Sequence, residues 1–281
     1  MAIGIRSLLL ALPLLASLGL AQPPAVPNDR QSHGDAPYLL EPGWRLLLNG
    51  RNLKGWHGRV CDIEPIDRGD RSPCCLKKYP FEWFSTKAVM WDANNPGQLS
   101  ASPGIGDRIV NGAKGESQDL LSDEKFGDVE LYLEFMVARR SNSGVYFQGH
   151  YEVQVFDSFG ETRSAYGSSA GIYIGFSRTK LGKFAGSPPR ENAARRPGQW
   201  QSFQIWFQAP RFDASGKKIA NAKFLRVLYN GVLVQENVEV DEPTFSAQGT
   251  PEAPLGFLML QGDHGPVAYR NIYIRPLRPL P

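Results

Sequence analysis

Short runs of alternating apolar and polar residues recur along most of the chain. In residues 129–137 Leu131, Leu133 and Phe135 fall on one side, and Glu130, Tyr132, Glu134 and Met136 on the other. Residues 144–149 set Val145 and Phe147 against Tyr146 and Gln148, and 151–157 set Val153 and Val155 against Glu152, Gln154 and Phe156. Residues 200–208 set Phe203, Ile205 and Phe207 against Gln204, Trp206 and Gln208. A period of two is the signature of half-buried strands. Residues 224–235 read as a hairpin, because Asn230-Gly231 supplies the positive φ angles of a type I′ turn. Runs at 256–261 and 267–277 complete the set. No long segment has helical periodicity, and no internal repeat is present. Repeated short strands broken by Gly, Pro and Asn predict an all-β, two-sheet antiparallel sandwich.

Composition bounds the rest. The 281 residues are 42% hydrophobic and 21% charged, ordinary values for a globular chain with a sizeable core. A net charge of +3 with no Lys/Arg run gives no argument for nucleic acid. Arg6 precedes an apolar run that ends in small residues, with Gly19 and Ala21 at −3 and −1 of a cut before Gln22. Residues 1–21 therefore read as a secretory signal peptide, and 22–42 as a flexible, Pro-rich leader. The run is short for a spanning helix and nothing later is apolar for long enough. The expectation is a secreted or periplasmic domain over 43–281 with no membrane attachment after cleavage. An oxidising compartment permits one disulfide, Cys61 with Cys74 or Cys75, favoured over a metal site because the spacing fits no ligand pattern.

The second sides of the strands lack the usual Lys, Thr and Ser. Glu130, Tyr132, Glu134, Tyr146, Gln148, Glu152, Gln154, Gln204, Trp206 and Gln261 are read together as one sheet face. Amides and carboxylates suit sugar hydroxyls, and aromatic rings suit the C–H face of a pyranose. A carbohydrate is the expected ligand. Oxygen-bearing loop ends could hold Ca²⁺, but no loop shows a recognisable ligand spacing, so Ca²⁺ is the candidate cofactor and none is assigned.

Four stretches in order resemble a known family. They are "LLLNGRNLKGWHG" (46–58), "FGDVELYLEFMVARRSNSGVYFQGHYEVQVFDSFG" (126–160), "SPPRENAARRPGQWQSFQI" (187–205) and "LQGDHGPVAYRNIYIRPL" (260–277). Together they resemble the secreted 3-keto-disaccharide (3-keto-glycoside) hydrolase domain over roughly residues 43–278. The resemblance implies a concanavalin A-like jelly roll. It also implies action on glycosides whose 3-hydroxyl a partner oxidoreductase has oxidised to a ketone. Residues 57–97 and 209–223 are longer than the family pattern and would reshape the rim.

A 3-ketone acidifies the proton at C2. Such a site needs a base, a donor for the enolate oxygen and an acid for the leaving group. Glu152 is the leading base candidate, with Glu134 second, His264 a proton carrier in a Gly-flanked loop, and Arg140 a holder for the enolate. Gln154, Tyr146, Gln148, Trp206, Gln261, Asn142 and His150 are candidate substrate contacts; Asn142 also suits fixing its turn. Two other readings compete: a non-catalytic lectin-like module, and a laminarinase-type glucanase. The latter wants Glu-x-Asp-x-x-Glu, where this chain has Glu152-x-Gln154-x-x-Asp157. Five residues apart without a bulge, Glu152 and Asp157 point to opposite faces.

Overall fold

The structure is a computed structural model that describes Met1 and residues 36–59, 79–177, 183–245, 247 and 250–278. Cys61, Cys74 and Cys75 and the signal-peptide segment lie outside the described residues beyond Met1. In chain order, a helical turn α1 (Pro37–Leu40) precedes strands β1 (Arg45–Leu46), β2 (Trp56–Gly58), β3 (Phe84–Thr86), β4 (Met90–Trp91), β5 (Leu99–Ser100), β6 (Arg108–Val110) and β7 (Leu120–Phe126). Then come β8 (Val129–Val137), β9 (Asn142–Phe147), β10 (Tyr151–Phe156), β11 (Gln201–Gln208), β12 (Arg211–Phe212) and β13 (Lys218–Ala220). The last four are β14 (Ala222–Tyr229), β15 (Val232–Val240), β16 (Gly256–Leu260) and β17 (Val267–Pro276).

Two antiparallel sheets face each other as a jelly-roll sandwich. The larger has the order β15-β14-β11-β8-β17-β6-β3, with β1 added beside β17; the smaller has the order β10-β9-β16-β7-β2. The predicted alternation holds in both. Leu131, Leu133, Phe135, Phe203, Ile205 and Phe207 point inward from the larger sheet, and Val145, Phe147, Val153 and Val155 from the smaller. Aromatic contacts lock the two sheets together: Phe147 of β9 lies 4.7 Å from Phe207 and 5.5 Å from Phe224, ring centre to ring centre. Such pairs add stabilisation beyond the area they bury, and they fix where β9 and β10 sit. The hairpin β14–β15 turns at Asn230 (φ 50°) and Gly231 (φ 81°), both in the left-handed region that a type I′ turn requires.

The polar face expected from the sequence divides between the two sheets. Glu130, Tyr132 and Glu134 (β8) and Gln204 and Trp206 (β11) are on the outer side of the larger sheet; Tyr146, Glu152, Gln154 and Gln261 are on the outer side of the smaller. The core lies between them. Alternation fixes which residues share a side of one strand, but not which sheet that strand joins.

Part of the expected leader is also ordered. Tyr38 stacks on Tyr273 at 4.0 Å, Glu41 pairs with Arg275 at 2.5 Å, and the Pro42 carbonyl accepts from Arg275 and Arg278. Residues 37–42 therefore strap the outer side of the larger sheet.

Candidate active site

The smaller sheet carries its site on the outer side, in transverse rows set by the strand register. The pairings His57↔Leu121, Leu121↔Met259, Met259↔Tyr146 and Tyr146↔Glu152 make one row. The next contains Arg59, Asp119, Gln261, Gly144 and Gln154: Arg59 N–H donates to the Asp119 carbonyl, Gln261 N–H donates to the Gly144 carbonyl, and Gly144 pairs with Gln154. The loop after β16 adds Asp263 and His264, whose carbonyl accepts from Asn142 N–H. Leu121, Tyr146 and Met259 give the site an apolar floor.

Glu152 is its centre. Its carboxyl leans over Gly144, where a Cβ would lie 2.4 Å from Oε1. The glycine therefore leaves the space the carboxyl fills. Glu152 is 2% exposed, and burial drives its pKa up to about 8. The Tyr146 hydroxyl, bonded to the carboxylate, opposes that rise, while the negative charges of Asp119 and Asp263 add to it. Asp119 is buried beside Arg59, with an N–O distance of 3.1 Å. Its carboxyl is also raised, chiefly by burial and against the pull of the Arg59 guanidinium.

Several buried polar atoms lack a partner among the described residues, and three of them lie on this face. Glu152 Oε2, Gln154 Oε1 and Gln261 Oε1 are buried with no partner among the described residues. A buried acceptor without a donor costs roughly 1–3 kcal/mol, so three acceptors on one face point to a ligand rich in donors. Exposure rises from this centre toward the loop end. Gln261 is 8% exposed, the Asp263 side chain 12% and the His264 side chain 54%. The site is therefore closed over Glu152 and opens at Asn142 and His264. His264 Nδ1 lies 2.5 Å from Asp263 and 3.2 Å from Gln261 Nε2.

Of the residues singled out in the sequence, Glu152, Gln154, Tyr146, Gln261, Asn142 and His264 come together here. The rest do not join this group. Glu134, on the opposite side of the molecule, accepts from Arg270, Asn271 and Tyr132 at 2.6, 3.1 and 3.0 Å. Its carboxylate serves the larger sheet. Trp206 sits beside Glu130 and Arg226 on that same far side. Gln148 follows β9 in the turn with φ 57° and spends its amide N–H groups on the carbonyls of Phe126 and Pro254. Arg140 is exposed in the turn between β8 and β9, with φ 61° and its backbone N–H donating to Asp157. His150 is buried beside the β9–β10 turn, with Nε2 2.8 Å from the Thr250 carbonyl. Burial holds its pKa below the usual imidazole range. Asp157 lies one residue past the end of β10, and its Oδ2 accepts from Arg140.

The sequence reading missed Arg59, Asp119, Asp263 and Gly144. Each lies at or just beyond a strand end, or carries no side chain, so alternation gave no signal for it. Among the described residues, no group of three or more His, Cys, Asp or Glu side chains is arranged to hold a metal ion.

The sequence over residues 43–275 matches the family described as the 3-keto-alpha-glucoside-1,2-lyase-like domain. The chain belongs to this family. One crystal structure agrees on the fold of this lyase-like domain. A provisionally assigned glycosyl hydrolase from Parabacteroides distasonis aligns at 23% identity over 84% of this chain and 84% of its own, with a TM-score of 0.54. A second one from the same organism aligns at 19% identity over 83% of this chain and 99% of its own, with a TM-score of 0.47. A search of curated proteins finds no match. The family match makes this lyase-like domain a carbohydrate-active one of the hydrolase/lyase class.

Proposed function

We propose that this domain cleaves the glycosidic bond of 3-keto-glycosides by elimination across C1 and C2 followed by hydration, with Glu152 as the proton-transfer group. The observation that carries the reading is the buried Glu152 carboxyl with one oxygen unpartnered among the described residues, beside the unpartnered oxygens of Gln154 and Gln261. In its carboxylate form Glu152 takes the C2 proton, and the electron pair of that bond makes the C2–C3 enolate. The enolate then reforms the C3 ketone, C1=C2 forms, and the C1–O bond breaks with its electrons on the leaving oxygen. That oxygen takes a proton, for which protonated Glu152 and the exposed His264 are the available carriers. Water then adds, hydroxide at C1 and a proton at C2, to give the free 3-keto sugar. Gln154 and Gln261 accept from sugar hydroxyls, and Arg59 supplies the buried positive charge of this face. A pKa near the working pH suits a group that must both take and return a proton.

The chemistry calls for an oxidoreductase that makes the 3-ketone beforehand. The apolar N-terminal run supports export, so the two enzymes would meet their sugar outside the cytoplasm. Aglycone release from a 3-keto-glucoside is the test. Glu152→Gln should lower kcat by about 10²–10⁴-fold, the usual worth of a general acid–base group. A substrate deuterated at C2 should turn over several-fold more slowly. Cleavage of unoxidised glycosides with no C2 isotope effect would overturn the elimination reading. Tight sugar binding without turnover would favour the lectin-like module.

A further inference from the structure

The smaller sheet continues past β10. Bridges Val153↔Ile172 and Ile172↔Ser187 add two extended segments to its edge. Gln154 N–H donates to the Gly171 carbonyl at 2.9 Å, and Tyr173 N–H donates to the Glu152 carbonyl at 3.1 Å. This register makes Tyr173 the cross-strand neighbour of Glu152. Ile172 is buried in the inner core with its partner Val153, so Tyr173 stands on the outer side in the Tyr146–Glu152 row.

Tyr166 meets Tyr173 edge to face, with ring centres 5.3 Å apart. Glycines make room for this corner. A Cβ on Gly186 would lie 2.6 Å from Tyr166 Cβ, and one on Gly171 would lie 2.2 Å from the Tyr166 carbonyl oxygen. Tyr166 is thus seated on bare backbone yet 37% exposed. The two sides of Glu152 differ in chemistry. Toward Gln261 and Asp119 they offer buried acceptors, as a polyhydroxylated ring needs. Toward Tyr173 they offer aromatic surface, which stacks on the C–H face of a pyranose or on an aryl ring.

Building on the elimination reading, we propose that Tyr173 and Tyr166 form the leaving-group subsite and select glycosides whose aglycone is itself a ring, aryl or sugar. The 3-keto ring then lies on the Gln261 side, the scissile oxygen beside Glu152, and the aglycone against the tyrosines.

The test compares methyl and 4-nitrophenyl 3-keto-glucosides across the wild type, Tyr173→Ala, Tyr173→Leu and Tyr173→Phe. A stacking contact is worth about 0.5–1.5 kcal/mol, or roughly 2–10-fold. Tyr173→Ala should therefore raise KM for the aryl substrate by about that factor, and leave kcat and the methyl substrate near wild type. Tyr173→Phe should restore the aryl KM; Tyr173→Leu keeps apolar bulk in case the alanine variant folds poorly, and should behave like it. Equal losses on both substrates, or no loss on either, overturn the subsite. A second readout needs no turnover: calorimetric affinity for the unoxidised 4-nitrophenyl and methyl glucosides. An aryl preference that Tyr173→Ala and Tyr173→Leu abolish supports the subsite even if no 3-keto-glycoside is cleaved, in which case only the elimination reading falls. Absence of that preference in the wild type overturns it.

Discussion

Glu152 has to hold a proton while almost fully buried, and that controls both activity and stability. Burial drives its pKa to about 8, with Asp119 and Asp263 adding to the rise. A base acts when deprotonated, so kcat/KM should climb with pH through an apparent pKa near 8. Removing one like charge with Asp119→Asn should move that limb to lower pH. A profile flat between pH 6 and 9 would eliminate Glu152 as the base. Stability runs the other way. An acid whose pKa is raised on folding binds its proton more tightly in the folded state. Its contribution is present below the unfolded value of 4.5 and is lost as pH rises through about 8. Glutamine cannot ionise, so the melting temperature of Glu152→Gln should pull ahead of wild type as pH rises from 5 to 9. The gain is roughly 1.4 kcal/mol per pH unit up to about pH 8 and levels off above it, and each kcal/mol is worth about 2–4 °C in a domain of this size. A constant difference between the two melting curves would contradict the assignment.

At the scale of elements, the β9–β10 hairpin builds the centre. Tyr146 and Glu152 are cross-strand partners, and Gly144 lies opposite Gln154. Gly144→Ala places a methyl group 2.4 Å from Glu152 Oε1 and 2.7 Å from the ring of Tyr146, which is fully buried. The carboxyl and the Tyr146 ring should both be displaced, so activity should fall at least tenfold and the melting temperature should fall with it. Gly171→Ala is the more severe change, since its Cβ would meet the Tyr166 backbone at 2.2 Å, and backbone steps aside less cheaply than side chains. There the melting temperature should fall further. Much of this hairpin was legible in the sequence. Parity put Glu152 and Gln154 on one side and sent Asp157 elsewhere, and Asp157 lies just past the strand and accepts from Arg140. The role of Gly144 was not legible, because an absent side chain has no place in an apolar/polar pattern.

The whole molecule has two outer sides with different work. On the larger sheet Glu130 is fully buried and bonded by Arg275 at 2.7 Å and by Gln204 at 2.6 Å, while Arg275 also reaches Glu41. Trp44 lies against the same guanidinium at 4.4 Å. This charge cluster fastens the 37–44 segment to the sandwich. Arg275→Ala strands a buried carboxylate and should cost about 3–5 kcal/mol, seen as a large drop in melting temperature. KM should not change, because the smaller sheet with the site lies across the core. A matching rise in KM would show that the two sides are coupled.

Local chemistry in the sequence determined the strands, their inward residues, the Asn230-Gly231 turn and the pairing of Glu152 with Gln154. A period of two and the φ preferences of Asn and Gly act over a few residues, wherever the chain goes next. Tertiary structure decided which strands became neighbours. That separated Glu134 and Trp206 from Glu152 by the thickness of the core, and brought Arg59, Asp119 and Tyr173 to it from 93, 33 and 21 residues away in the chain. The long-range pairings that did so depend on how two sheets bury their inner faces against each other, and no stretch of sequence carries that information alone.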